Sequence, residues 1–347
     1  MAETALYRKY RPQGFADVLG QDHIVKVLEG SIKKGNISHA YLFSGTRGTG
    51  KTSIARILAR ELGTEEVDLH EIDAASNRGI DDIRELRDAV QTLPFQSEYK
   101  VYIIDEVHML TKEAFNALLK TLEEPPSYVI FMLATTELGK LPDTVVSRCQ
   151  TFEFKKPSQE ILKNLVLGVS KKEGVTLDGA SADLIALLGD GSFRDTLGIL
   201  QKITSSSSDK KISQEEVMEV TGAPQSEFIN DVISAIAKED MDMGLKAISG
   251  VVEANADMQI FMKLILRKVR AVLLLRFSKD MEGQIKEDFT DSDFKFLKEM
   301  SGKDGARVSS GALGELLEAY SVMRFAYLPQ IPLELALMKI IGNNGGE

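Results

Sequence analysis

Residues 45–52, Gly-Thr-Arg-Gly-Thr-Gly-Lys-Thr, set three glycines, a lysine and a threonine at the spacing of a phosphate-binding loop. The glycines let consecutive backbone N–H groups converge on phosphate oxygens. The Lys51 ammonium meets the terminal phosphates as a point charge, and the Thr52 hydroxyl can ligate magnesium. Gly45, Thr46, Arg47, Gly48, Thr49, Gly50, Lys51 and Thr52 are therefore the expected nucleotide-binding residues. A second constellation, Asp105-Glu106, places two carboxylates together after the apolar run Val101-Tyr-Ile-Ile. Asp105 would share the magnesium with Thr52, leaving Glu106 to orient or deprotonate an attacking water, which is the chemistry of nucleotide hydrolysis. A glycine-rich turn with an exposed lysine, or an acidic pair capping the next helix, would explain either motif alone; the two together favour a nucleotide site. His108 reads as a packed or capping side chain outside that site.

These groups need a scaffold that delivers them to one edge. Short apolar runs suited to strands occur at 40–44, 67–72, 101–105, 129–134 and 151–154, separated by amphipathic helical stretches. Strands alternating with helices imply a parallel sheet covered on both faces, and ligands of such sheets bind at the carboxyl ends of the strands. The loop at 45–52 follows one strand at once and precedes the helical run 53–62, the order a P-loop requires. From about Pro157 only helices are expected, at 161–172, 180–188, 195–203 and 214–221, with a loop at Ser205–Ser208. Gly222-Ala-Pro224 marks a boundary. Residues 225–342 read as helical throughout, most strongly at 258–277, where Lys263, Arg267, Lys268 and Arg270 break the apolar pattern and make it an amphipathic packing helix. The tail from Gly342 is expected to fray.

Composition excludes several classes. The chain has 347 residues, 43% hydrophobic and 27% charged, enough to bury a core and unlike disordered, collagen or coiled-coil sequences. The longest apolar run, Val129 to Ala134, is far short of the roughly 20 residues of a membrane span, and Met1-Ala-Glu-Thr shows no signal-peptide pattern. A soluble, cytoplasmic protein without membrane partners is expected. One cysteine, Cys149, and four scattered histidines offer no zinc cluster. The net charge of −10 argues against a surface that wraps nucleic acid, but it is unevenly spread. Residues 1–60 carry ten Lys/Arg against four Asp/Glu, and the rest carry 32 against 48.

A larger set of segments resembles one family. Tyr7-Arg-Lys-Tyr-Arg-Pro12, Phe15-Ala-Asp-Val-Leu-Gly-Gln21, the P-loop, Glu71-Ile-Asp-Ala-Ala-Ser76, Asp105-Glu-Val-His-Met-Leu110, Leu118-Leu-Lys-Thr-Leu-Glu-Glu-Pro-Pro126, Leu133-Ala-Thr-Thr136, Ser147-Arg-Cys149 and Gly191-Ser-Phe-Arg-Asp195 are similar to the gamma/tau subunits of bacterial DNA polymerase III. Those are the AAA+ ATPases of the sliding-clamp loader. The resemblance implies three parts: an AAA+ P-loop ATPase domain at 1–157, a small helical lid at 158–222 and a helical collar for oligomerisation at 223–347. It implies ATP and Mg²⁺ as ligands and no polymerase active site. By the same resemblance Thr136 is sensor 1, Arg194 is sensor 2, and Arg148 is an arginine finger acting in trans on the ATP of a neighbouring subunit. Arg8, Arg11 and Pro12 would lie near the nucleotide, and Val18 would line the adenine pocket. Without that context each arginine could be a surface salt bridge and the basic arm simply solvated. The implied partners are delta and delta-prime type subunits, further gamma/tau copies, the sliding clamp, and primer–template DNA bound without sequence preference. For DNA, Arg78 and Lys112, the latter beside the expected N-cap Thr111, are the candidates.

The chain departs from the family pattern between the P-loop helix and the next strand. A four-cysteine zinc module is usual there, whereas only Gly63-Thr-Glu-Glu66 makes the connection here, so no zinc is expected. The sequence also stops after the collar, so no tau-type extension is expected. A branch-migration type AAA+ DNA motor shares the P-loop, the Asp-Glu pair and the lid, but it needs a winged-helix domain with a strand pair that 225–342 does not suggest. A non-hydrolysing structural subunit would have lost some of the site residues, and all are present.

Overall fold

A computed structural model describes residues 4–77, 79–207 and 210–342, which group into two compact units. The first unit comprises residues up to Leu162 together with Gly189–Gly198. Its sheet has five parallel strands, β1 (Ala40–Ser44), β2 (Leu69–Asp73), β3 (Lys100–Asp105), β4 (Val129–Thr135) and β5 (Gln150–Glu153), in the order β2-β3-β4-β1-β5. Helices α1 (Leu6–Lys9), α2 (Asp22–Lys33), α3 (Lys51–Glu61), α4 (Ile80–Val90), α5 (Lys112–Glu123) and α6 (Asp143–Val146) complete the run. Side chains alternate across a strand, so each central strand feeds two cores. Leu42, Tyr102, Ile104, Phe131 and Leu133 pack with Ile83, Leu86, Phe115, Leu118 and Leu122 of α4 and α5. Tyr41, Phe43, Val101, Ile103, Ile130 and Met132 pack with Ile24 and Leu28 of α2 and Ile54, Ile57 and Leu58 of α3. Burial on both faces explains why β1 and β4 read as unbroken apolar runs.

Register aligns the carboxyl ends. Ser44 pairs with Thr135, Ile104 with Leu133 and Asp73 with Asp105. The chain therefore leaves β1, β3 and β4 side by side at Gly45, Glu106 and Thr136, and the Gly45 N–H donates to the Thr135 carbonyl at 3.2 Å. The edge strand β2 is only half-buried, in keeping with its more polar composition. After α3 the chain turns tightly. The Leu62, Gly63 and Thr64 N–H groups donate to the carbonyls of Leu58, Arg60 and Ala59, and a single 3-10 turn at 66–68 leads into β2.

The second unit holds 163–188 and the residues from Ile199. Helices α7 (Gln159–Lys172) and α9 (Phe193–Ser206) run through the divisions between units. Between them lies α8 (Gly179–Leu188), and after α9 come α10 (Gln214–Thr221), α11 (Ser226–Lys238), α12 (Met241–Glu253), α13 (Met258–Phe277), α14 (Glu282–Asp288), α15 (Asp291–Ser301), α16 (Ser310–Val322) and α17 (Ile331–Gly342). The expectation of helices alone after Pro157 misses one feature. Two-residue strands, β6 (Thr176–Leu177) and β7 (Lys211–Ile212), pair in parallel. Each is too short to leave a period-two pattern. From Ser226 to Gly342 every regular element is helical.

Helix α13 packs with some of its charges inside. Its charges do not all face water: Lys268 is 3% exposed and Arg267 is largely covered, leaving Arg270 as the exposed one. Lys268 donates to Asp293 at 2.5 Å and to Asn230 at 2.8 Å. Arg267 pairs with Asp183 and lies over the Phe289 ring at 4.1 Å. Charges this deep persist because they are paired. Among the described residues no helix is long and apolar enough to cross a membrane. The expected loop at Ser205–Ser208 is shortened by α9, which continues to Ser206; Ser208 and the tail after Gly342 lie outside the described residues.

Candidate nucleotide site

In the loop after β1 the glycines stand where other residues do not fit. Gly48 has φ +74°, and a Cβ there would lie 2.0 Å from Ser192 Oγ; Gly50, at φ +101°, caps α3. The Phe193 N–H donates to the Gly48 carbonyl at 2.9 Å, so the start of α9 is hydrogen-bonded to the loop. Thr46 and Arg47 are exposed, whereas Thr49 is buried and its hydroxyl donates to the Thr46 carbonyl at 2.8 Å. The Lys51 side chain is turned into this loop, donating to the carbonyls of Gly45 at 2.8 Å and Thr46 at 3.0 Å. Burial pushes its pKa down, and the carboxylates of Glu106 and Asp105 oppose that shift.

The acidic pair arrives from β3. Thr52 Oγ donates to Asp105 Oδ2 at 2.8 Å, and the other Asp105 oxygen accepts the Glu106 N–H at 2.9 Å. Two oxygens bound at about 2.0–2.1 Å to neighbouring vertices of an octahedron lie about 3 Å apart, so this pair fits one edge of a magnesium shell. Among the described residues no group of three or more His, Cys, Asp or Glu could hold a metal ion. Glu106 has a left-handed backbone, φ 48° and ψ 44°, uncommon for a residue with a Cβ. Its Oε2 accepts from the Thr136 hydroxyl at 3.0 Å and from the Thr136 N–H at 3.3 Å.

The basic arm folds back on α3. Arg11 Nε donates to Ser53 Oγ at 2.9 Å, and Arg60 Nη1 donates to the Gln13 carbonyl at 2.7 Å. Burial lowers the Arg11 pKa, with Arg56 contributing repulsion. The Tyr7 ring collects two guanidinium groups, Arg194 at 5.0 Å and Arg8 at 5.8 Å, and its phenol pKa is lowered by Arg8 first and Arg194 less. Pro12 is half-buried, and Val18 packs against the core beside α3.

Other expected residues lie apart. Arg148 donates from Nη2 to Glu123 at 2.8 Å and from Nη1 to the Thr144 carbonyl at 2.7 Å. Its neighbour Cys149 has a thiol pushed up to about 11 by burial, which keeps it an unreactive thiol. Lys112 is exposed at the first position of α5, and the Thr111 hydroxyl accepts from the Ala114 N–H at 3.2 Å as an N-cap should. Arg78 lies outside the described residues. Tyr7, Ser53, Glu123 and Ser192, which are not among the expected site residues, orient or contact them. Most sit inside the quoted motifs, but only their neighbours in space reveal what they touch.

A family profile described as "DNA polymerase III, delta subunit" matches residues 20–78 and 64–158. DNA polymerase III subunit tau of Bacillus subtilis is 36% identical over 365 aligned positions, covering 98% of this chain and 63% of that protein. DNA polymerase III subunit tau of Escherichia coli is 40% identical over 278 positions, 74% of this chain and 41% of that one. The gamma/tau subunit of Mycobacterium tuberculosis is 35% identical, covering 97% and 62%. The chain thus spans less than two thirds of the length of these relatives. Among solved structures, the Holliday junction branch migration motor RuvB of Thermotoga maritima superposes with a TM-score of 0.52 at 25% identity, over 65% of this chain and 79% of that one. With an AAA+ P-loop fold, and with the Bacillus subtilis and Mycobacterium tuberculosis relatives aligned along nearly its whole length, the chain belongs to the DNA polymerase III gamma/tau family.

Proposed function

We propose that the chain is an ATPase subunit of a bacterial sliding-clamp loader, which uses ATP binding and hydrolysis to place a ring-shaped clamp on primed DNA. The ATPase reading is carried by one observation: Thr52 with Asp105 and Thr136 with Glu106 are hydrogen-bonded pairs at the carboxyl edge of one parallel sheet, beside Lys51. The loader reading rests on family membership. Residues 1–157 would form the ATPase domain, 158–222 a lid, and 223–347 a collar that joins subunits, including delta and delta-prime types. Cytoplasmic location follows from a role in replication.

In this reading the backbone of 45–52 cradles the phosphates, and Lys51 exchanges the carbonyls of Gly45 and Thr46 for phosphate oxygens. Thr52 and Asp105 would hold magnesium, which when bound neutralises charge on the phosphates. Glu106 aligns the attacking water, and Thr136 presents its hydroxyl to that water or to the γ-phosphate. Arg194 approaches the nucleotide from its place on Tyr7, with Arg8, Arg11, Pro12 and Val18 nearby. Arg148 serves the ATP of the next subunit, where a guanidinium spreads charge over the transferring phosphate. DNA would be met by helix N-termini, with Lys112 and Arg78 contributing, an arrangement compatible with an acidic exterior.

The test is ATP hydrolysis by the chain with and without clamp, primed DNA and delta-type subunits. Stimulation by the three together is expected. Directional movement on DNA with no requirement for a clamp would replace the loader with a branch-migration type motor.

A further inference from the structure

His108 lies outside every role assigned above, yet its ring is enclosed beside Glu106. The side chain is 5% exposed. Its Nδ1 sits 3.0 Å from Thr135 Oγ1 and 3.4 Å from Glu106 Oε2, the oxygen that also accepts from Thr136. Its Nε2 faces Glu137 Oε1 at 3.5 Å. Thr135 Oγ1 accepts the Glu137 N–H at 3.0 Å, so the ring links the exits of β3 and β4. The 3-10 turn at 107–109 that carries it is anchored on both sides by Val107, fully buried, and Leu110 at 6% exposure. A bare Nδ1 would set its lone pair against the Glu106 carboxylate, whereas a proton there is donated to Thr135 and turns a positive edge to Glu106 Oε2 at 3.4 Å.

We propose that His108 is a positioning residue for Glu106: through Nδ1 it ties the carboxylate to the end of β4 and so fixes where a water is aligned for attack. The left-handed backbone of Glu106 agrees with this. A strained residue projects its side chain along a path that needs an outside restraint, and the restraint comes from Thr136 on one side and His108 on the other. The proposal rests on the ATPase reading and adds a residue to it.

Asparagine and glutamine separate the two ring nitrogens, because an asparagine amide falls near the place of Nδ1 and a glutamine amide near that of Nε2. ATP turnover, mant-ATP affinity and thermal unfolding are measured for the wild-type chain, Glu106→Gln, His108→Ala, His108→Asn and His108→Gln, each alone and assembled with the other loader subunits. A misplacement of order 1 Å costs up to about 100-fold, so His108→Ala is expected to lower kcat about 10- to 100-fold. Its KM and nucleotide affinity should stay within about twofold, because ground-state binding does not pass through Glu106. His108→Asn should restore most of kcat and His108→Gln should not. Wild-type kcat in His108→Ala overturns the proposal, as does rescue by glutamine alone. Loss of affinity and stability together with kcat, unrescued by asparagine, makes His108 a packing residue and overturns it too. No turnover by the wild-type assembly overturns the ATPase reading itself, an outcome distinct from turnover that depends on Glu106 and ignores His108.

Discussion

In the proposed reaction Lys51 and Glu106 answer to different steps. Lys51 already acts as a buried donor, and its present acceptors are two carbonyls of its own loop. Removing its ammonium takes away a charge-assisted contact to phosphate, so Lys51→Ala should weaken ATP binding about 100-fold or more in a calorimetric titration. Glu106→Gln keeps size and hydrogen bonding but removes the basic oxygen. Binding should survive while phosphate release falls by about 10²- to 10⁴-fold; undiminished release would remove Glu106 from its role. Arg148 belongs with neither, since its guanidinium is occupied by Glu123 and the Thr144 carbonyl. Arg148→Ala should leave nucleotide affinity of the isolated chain intact and lower turnover of the assembled loader about 10³-fold. Full turnover in the assembly would refute action in trans.

At the scale of elements, the site exists because three parallel strands end in step, and what holds an edge in step lies away from the site. Asp68, buried before β2, accepts three backbone N–H groups, from Phe95 at 2.6 Å, Gln96 at 2.9 Å and Ser97 at 2.8 Å. Burial alone would raise its pKa, but these bonds outweigh it and bring the carboxyl from 3.8 to about 2. A depressed carboxyl contributes stability that is complete above the unfolded value near 3.8 and disappears as pH falls through about 2. Asp68→Ala strands those donors and should cost about 1–3 kcal/mol at neutral pH, read from urea unfolding. The difference between Asp68→Asn and wild type should shrink between pH 4 and about pH 2. A difference independent of pH would mean the ionised carboxyl does not hold the 95–97 turn.

Across the helical unit, stability depends on charges placed where a core is expected. Lys268 is paired with Asp293 and Asn230 in the interior, and burial lowers its pKa against the opposing pull of Asp293. Lys163 and Arg267 reach Asp288 and Asp183, so α7, α8, α13, α14 and α15 share one ionic network. Asp293→Ala leaves an ammonium without its partner in the interior and should destabilise the chain by about 3–5 kcal/mol in thermal or urea unfolding. The pair replacement Lys268→Met with Asp293→Leu should recover most of that loss, because it removes the desolvation cost along with the attraction. If the double variant is no better than the single one, the network contributes more than the pairing of these two charges.

The order of strands and helices, the phosphate loop and the Asp-Glu pair were legible in the chain itself, because they are local. A glycine-rich turn, a run of apolar residues and a carboxylate at a strand end are defined by neighbours in sequence. Helices α10 and α13 have the very boundaries their patterns predict, since a cap, a breaker and a 3.6-residue period act over a few positions. Folding in three dimensions decided the rest. The charges of α13 look like a solvent-facing stripe in one dimension and become an internal network only when α8 and α15 supply carboxylates. His108 looks like a cap until the end of β4 arrives beside it, 27 residues along the chain. Long-range pairing of this kind is fixed by sheet register and helix packing, and composition and periodicity do not encode it position by position.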